Sequence, residues 1–141
     1  PTRRSSDLRQ AKTEDARLIF NIAEAAFVPS PWPMAVFEHE LSSPRSRYFI
    51  ANAGFIGVTQ IIDEIEIGSL AVHPDYQRRG IAQQLLNQIL KQPKVKRFLL
   101  EVDETNISAI QLYEKNGFQA YFRREKYYKN GHAAIMMERN I

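Results

Sequence analysis

Gln77-Arg78-Arg79-Gly80-Ile81-Ala82 is the stretch whose reading decides the fold. An apolar run, Ile67-Gly68-Ser69-Leu70-Ala71-Val72, comes before it and reads as a strand. After it, Ile81, Leu85, Leu86, Ile89 and Leu90 recur at helical spacing. A helix that starts at a small-residue turn points several unpaired backbone N–H groups outward. Its dipole adds partial positive charge there, so such a turn can bind a phosphate or pyrophosphate. Gly80 lets the backbone come close to an anion, Ala82 keeps bulk away, and Arg78 and Arg79 add charge. The run is neither G-x-x-x-x-G-K-[ST] nor G-x-G-x-x-G with a downstream acid.

A second block lies downstream, from Leu99 to Phe118. Phe98 to Val102 reads as a short buried strand bounded by polar residues. Thr105 or Asn106 is placed to cap the helix that follows, and Gly117 after Asn116 suits a left-handed stop. The first run, with Val72-His73-Pro74-Asp75-Tyr76 ahead of it, resembles the V-x-P-x-Y/F and Q/R-x-x-G-x-G/A motifs of the GNAT N-acetyltransferases. The second resembles that family's L-x-V-x-x-x-N-x-x-A-x-x-L-Y-x-x-x-G-F. Together they cover Ile67 to Phe118, in the family's order.

The resemblance implies an α/β fold of GNAT type: a mixed central sheet, splayed between its fourth and fifth strands, with flanking helices. It also implies acetyl-CoA as cosubstrate. Gln77, Arg78, Arg79, Gly80, Ile81 and Ala82 would hold the pyrophosphate. The backbone of Leu70, Ala71 and Val72 would pair with the pantetheine amides, and Asn106 would bind the pantetheine or phosphate segment. Asn106 also reads simply as a helix cap. Gly68, a glycine inside an apolar strand, marks either a bulge or a close packing contact.

Acetyl transfer to an amine needs a base for the amine proton and an acid for the departing thiolate. With no cysteine in the chain, transfer is expected to be direct. Glu101, expected to be partly desolvated at a strand end, is the candidate base. Glu66 is the rival. Tyr113 matches the family's acid position, and the alternative for it is a core aromatic with a wet tip. His39, His73 and His132 lack metal-ligand spacing, so no metal is expected.

Three further features resemble the ribosomal-protein-alanine N-acetyltransferase branch of the family. They are Phe27 to Trp32, with Val28-Pro29-Ser30 inserted; Leu100-Glu101-Val102; and Arg123 to Tyr128 followed by Gly131 and Ala134 to Met137. In that branch the acceptor is the N-terminal alanine of ribosomal protein S18. An α-amine, with a pKa of ~7.7–8.0 against ~10.4 for lysine, asks little of its base. Trp32, Tyr127 and Tyr128 would line the peptide groove, or else serve as ordinary packing. Ser69 stands where this branch carries Asn. The alternatives are a GNAT enzyme for a small amine or lysine, and a non-catalytic acetyl-CoA sensor. Retention of both Glu101 and Tyr113 argues against the sensor.

Composition agrees with this reading. A chain of 141 residues is long enough for one domain with a sizeable core. Its charge of +3 suits an anionic coenzyme and is too mild and scattered to indicate nucleic acid. No apolar stretch approaches the ~18–20 residues of a membrane span, so no membrane partner is expected and the expected address is cytoplasmic. Pro1 to Asp7 are polar, without periodicity, and read as a disordered or non-native leader; residues 8–141 read as the single acetyltransferase domain. From Leu8 the expected order is a strand to Ala11, a helix capped by Thr13, and a Pro-rich break at Pro29 to Pro33. A second helix to Leu41 and a hairpin around Ala53-Gly54 come next, then the two blocks above. Two last strands close the chain, about Gln119–Tyr127 and Ala133–Arg139.

Overall fold

A computed structural model of the protein describes residues 7–141, so the expected leader, apart from Asp7, lies outside the described residues. Contacts divide the chain into two units, Pro1–Thr59 with Ser69–Gln92, and Gln60–Gly68 with Pro93–Ile141. The strands form one seven-stranded sheet in the order β1-β2-β3-β4-β5-β7-β6.

The first unit opens with β1 (Arg9–Gln10), a short 3-10 turn at Thr13–Asp15, and α1 (Ala16–Phe27). Thr13 lies in that turn rather than capping α1. The Asp15 carboxylate organises the entry instead, accepting the Lys12 N–H at 2.7 Å and pairing with Arg9 at 2.9 Å. Ala16, Ile19, Ile22 and Ala23 give α1 its buried face. Phe27, expected on that face, is the last helical residue and is 40% exposed. Val28 follows with a left-handed φ of 38°, and Ser30 holds the inserted loop: its N–H donates to Glu24 and its hydroxyl to the Trp32 carbonyl. Pro33 then precedes α2 (Met34–Leu41), where its fixed φ suits the helix start.

β2 (Ser46–Ala51) and β3 (Gly54–Ile61) form an antiparallel hairpin with Ala51 opposite Gly54. Its core is aromatic. Phe37, fully buried, meets Trp32, Tyr48 and Phe55 edge-on at 6.0, 6.0 and 5.7 Å. The Tyr48 ring lies against Gly57, where an added Cβ would overlap it. The C-terminal part of β4 (Glu64–Val72) and α3 (Ile81–Leu90) complete this unit, α3 burying Ile81, Leu85, Leu86 and Ile89.

In the second unit the N-terminal part of β4 pairs in parallel with β5 (Arg97–Asp103), from Glu64↔Arg97 to Ile67↔Leu100. Both strands run on beyond that register, β4 to Val72 and β5 to Asp103. β5 pairs antiparallel with β7 (Ala134–Asn140), which pairs with the edge strand β6 (Gln119–Arg124). The register shifts between Ala120 and Phe122, and the intervening Tyr121 ring sits 5.4 Å from the Arg97 guanidinium. β6 ends at Arg124, so Tyr127, expected at a strand end, lies in the connection to β7. α4 (Ile107–Lys115) stops at Gly117, with φ at 87°.

Candidate active site

In the first unit the chain leaves β4 at Val72, with Ala71 and Val72 buried and Leu70 half-buried. A 3-10 turn, Pro74–Tyr76, carries it to Gln77. The Gln77 side-chain amide donates to the Val72 carbonyl at 3.0 Å, so its side chain ties the turn to the strand. Arg78 and Gly80 both take left-handed conformations, with φ at 65° and 79°. Left-handed residues in a turn are the backbone conformation from which anion nests are built. Gly80 is the N-cap of α3, and a Cβ there would meet nothing within 4 Å, so the ground above the turn is open. Arg79 stacks over the Tyr76 ring at 5.1 Å, and that ring meets His73 edge-on. Both arginines are exposed. Gly-capped helix start, open approach and two cations fit a pyrophosphate. Ile81 is buried and Ala82 half-buried in the first turn of α3.

The second unit holds the candidate chemical groups. Tyr113 is 6% exposed on α4, its ring edge-on to Phe118 at 5.6 Å. Burial pushes its pKa well above the ordinary tyrosine value, so the hydroxyl keeps its proton at neutral pH. Asn106 caps α4, accepting the Ala109 N–H at 3.3 Å. Glu101 sits within β5, not at its end, and opposite Met136 of β7. Its side chain is exposed, which corrects the expected desolvation: alternation along β5 buries Leu100 and Val102 and turns Glu101 outward. Glu66 on β4 is exposed as well.

Tyr127 lies near Glu101, whose carboxylate, as acceptor and as charge, raises the phenol's pKa, with a smaller push from Glu66. Tyr128 meets Tyr127 edge-on at 5.1 Å. Its pKa is pushed up to about 12, first by burial and then by the charges of Glu101 and Asp103. Glu101, Tyr127 and Tyr128 are thus brought together, with Glu66 close enough to act on Tyr127. Trp32 belongs to the first unit, half-buried on Phe27 and Phe37 in a packing role.

Sequence reasoning missed Asp103, Asn130 and His132, which hold the connection carrying Tyr127. Spacing alone tests His132 only as a metal ligand. The signal available was Asp103-Glu104-Thr105, an Asx-turn pattern directly before the α4 cap. Among the described residues no three His, Asp or Glu side chains gather as a metal would require, and no helix is long and apolar enough to cross a membrane.

Residues 44–120 match the family described as an acetyltransferase (GNAT) domain. N-alpha-acetyltransferase RimI of Mycobacterium tuberculosis is 34% identical over 137 residues, covering 89% of this chain and 87% of that protein. The ribosomal protein bS18-alanine N-acetyltransferase of Escherichia coli K12 is 31% identical over 124 residues, 83% of each. The crystal structure of the Escherichia coli ribosomal-protein-S18-alanine N-acetyltransferase has a TM-score of 0.85 at 29% identity, over 96% of this chain and 93% of that one. Arabidopsis thaliana NAA60 in complex with acetyl-CoA shares the fold, with a TM-score of 0.85 at 18% identity over 96% of this chain and 98% of that one. With the family match spanning more than half of its length, and RimI-type relatives aligned along most of it, the protein belongs to the GNAT N-acetyltransferases, enzymes that take their acetyl group from acetyl-CoA.

Proposed function

We propose that the protein acetylates the N-terminal α-amine of another protein by direct transfer from acetyl-CoA, in the cytoplasm, with the N-terminal alanine of ribosomal protein S18 as acceptor. The observation that carries the reading is the exposed Glu101 carboxylate near the paired Tyr127 and Tyr128 phenols. A carboxylate beside two phenols offers a free amine a proton acceptor, and offers the peptide that follows it hydrogen bonds and apolar faces. The relatives named for bS18-alanine acetylation support the choice of acceptor.

In this reading the turn at Gln77–Ala82 holds the pyrophosphate through backbone N–H groups, Arg78 and Arg79. Leu70, Ala71 and Val72 offer backbone groups to the pantetheine arm, and Asn106 adds a polar contact while capping α4. The amine nitrogen attacks the thioester carbonyl, and its proton passes to Glu101 directly or through water. The C–S bond then breaks, and the electron pair leaves on sulfur. Tyr113 supplies a hydrogen bond or proton to that thiolate. A thiol pKa near ~8.5 lies below that of tyrosine, so hydrogen bonding carries much of the stabilisation. Tyr127 and Tyr128 contact the acceptor peptide.

Thiol release from acetyl-CoA tests the reading, using an Ala-starting peptide with the N-terminal sequence of S18, its N-blocked twin with an internal lysine, and a polyamine. Turnover confined to the free α-amine is expected. Preference for the polyamine or the lysine would replace the proposed acceptor class.

A further inference from the structure

Asp103, the last residue of β5, gathers contacts from two directions. Its Oδ1 accepts the Thr105 N–H at 2.9 Å and the Thr105 hydroxyl at 2.8 Å, which ties it to the chain entering α4. From the β6–β7 connection, His132 Nδ1 lies 3.1 and 3.0 Å from its two carboxylate oxygens, and Asn130 donates at 3.3 Å. Asn130 in turn accepts the His132 N–H at 2.8 Å. The bond to Asp103 requires a proton on His132 Nδ1, a condition that both the neutral Nδ1–H tautomer and the imidazolium satisfy.

The His132 backbone continues the chain of contacts. Its carbonyl accepts the N–H groups of both Tyr127 and Tyr128, at 3.1 and 3.2 Å. A path of contacts therefore runs from Asp103, at the end of β5, through the His132 ring and carbonyl to the amides of both tyrosines. A second strap lies beside it. Glu104 accepts from Arg123 at 2.7 Å and from the Ala133 N–H at 2.6 Å, so the ends of the connection stay anchored if the first path is cut.

We propose that Asp103 and His132 are positioning residues for the acceptor: the pair holds in place the 125–132 connection that carries Tyr127 and Tyr128. The consequence for acceptor binding rests on the N-terminal acetyltransferase reading, whereas the holding itself does not. A side chain with four polar groups trained on it fixes the connection far better than a solvated turn, and charge-assisted bonds are the stronger kind.

The test compares wild type with His132→Ala and His132→Asn, the second placing an amide nitrogen near the Nδ1 position. Hydrogen–deuterium exchange over 125–133 reads the holding without any acceptor, and steady-state kinetics read its consequence. For His132→Ala, exchange of the Tyr127 and Tyr128 amides is expected to quicken roughly tenfold, and KM for the Ala-starting peptide to rise by about as much. The dissociation constant for acetyl-CoA is expected to stay within about twofold, with His132→Asn recovering most of both effects. Unchanged exchange would overturn the proposal. Faster exchange with an unmoved acceptor KM, or with acetyl-CoA binding lost in step, would overturn the positioning role. If wild type acetylates no α-amine, the functional reading fails by itself, and the exchange data still decide whether the pair holds the connection.

Discussion

In the proposed mechanism Tyr113 and Glu101 divide the proton work between a buried group and an exposed one. Burial holds Tyr113 protonated, which suits it to donate to sulfur in that mechanism; Tyr113→Phe keeps the packing on Phe118 and removes the donor. Turnover is expected to fall by about a hundredfold or more, while the acetyl-CoA dissociation constant from calorimetry stays within about twofold. Equal losses in both would assign Tyr113 to binding. Glu101→Gln retains the shape and hydrogen-bonding capacity but cannot take a proton. It is expected to lower kcat by about a hundredfold or more and to remove the acidic limb of the pH–rate profile. Glu66→Gln is expected to spare that limb; the reverse pattern would move the base to Glu66. The place of Tyr113 on α4 was legible because helical spacing and a motif both put it there. The exposure of Glu101 was not inferred, although the buried and exposed sides of β5 alternate residue by residue. Its Tyr127 neighbour comes from a connection 26 positions on, which no local pattern reports.

Among the elements, β2 and β3 meet where a glycine replaces a side chain. A Cβ on Gly57 would overlap Tyr48 ring atoms and lie 2.8 Å from Ser69 Oγ. Tyr48 has little room to retreat, since it is 2% exposed, packed on Phe37 and Phe55, and bonded to Glu40. Gly57→Ala is therefore expected to destabilise the protein by ~1–3 kcal/mol, read as a lower urea midpoint at unchanged slope. An unchanged midpoint would mean that the ring shifts freely. Elements carried by strong periodicity, such as α3 and the buried half of β5, were legible with nearly their observed ends. Those decided by side-chain contacts were not. Asp15 displaces Thr13 at the α1 entry because its carboxylate serves both Arg9 and the Lys12 N–H. β6 ends short of its expected bound at Tyr127. Tyr127 and Tyr128 have β-favouring side chains, yet their amides turn to the His132 carbonyl.

Across the whole molecule, carboxylates held below their ordinary range set the response to acid. Burial opposes ionisation of Asp103, but the bonds from Thr105, His132 and Asn130 outweigh it and hold its pKa at about 2. Asp15 is lowered first by its bond to Arg9, and Glu104 first by the Ala133 N–H and then by Arg123. A folded-state pKa below the unfolded ~3.9 stabilises the protein fully above that value, and the contribution is lost as pH falls toward 2. The thermal midpoint is expected to drop through this window, and Asp103→Asn to flatten the slope; parallel curves would deny Asp103 its share. The order of elements was legible because two motifs fix the middle of the chain. Neither of those two motifs reports the acceptor, which in the proposed reading depends on Tyr127 and Tyr128 beside Glu101. The most direct measurement is tandem mass spectrometry of an Ala-starting peptide with an internal lysine after incubation with the protein and acetyl-CoA. The acetyl group is expected on the α-nitrogen alone, and acetylation of the lysine side chain instead would contradict the account.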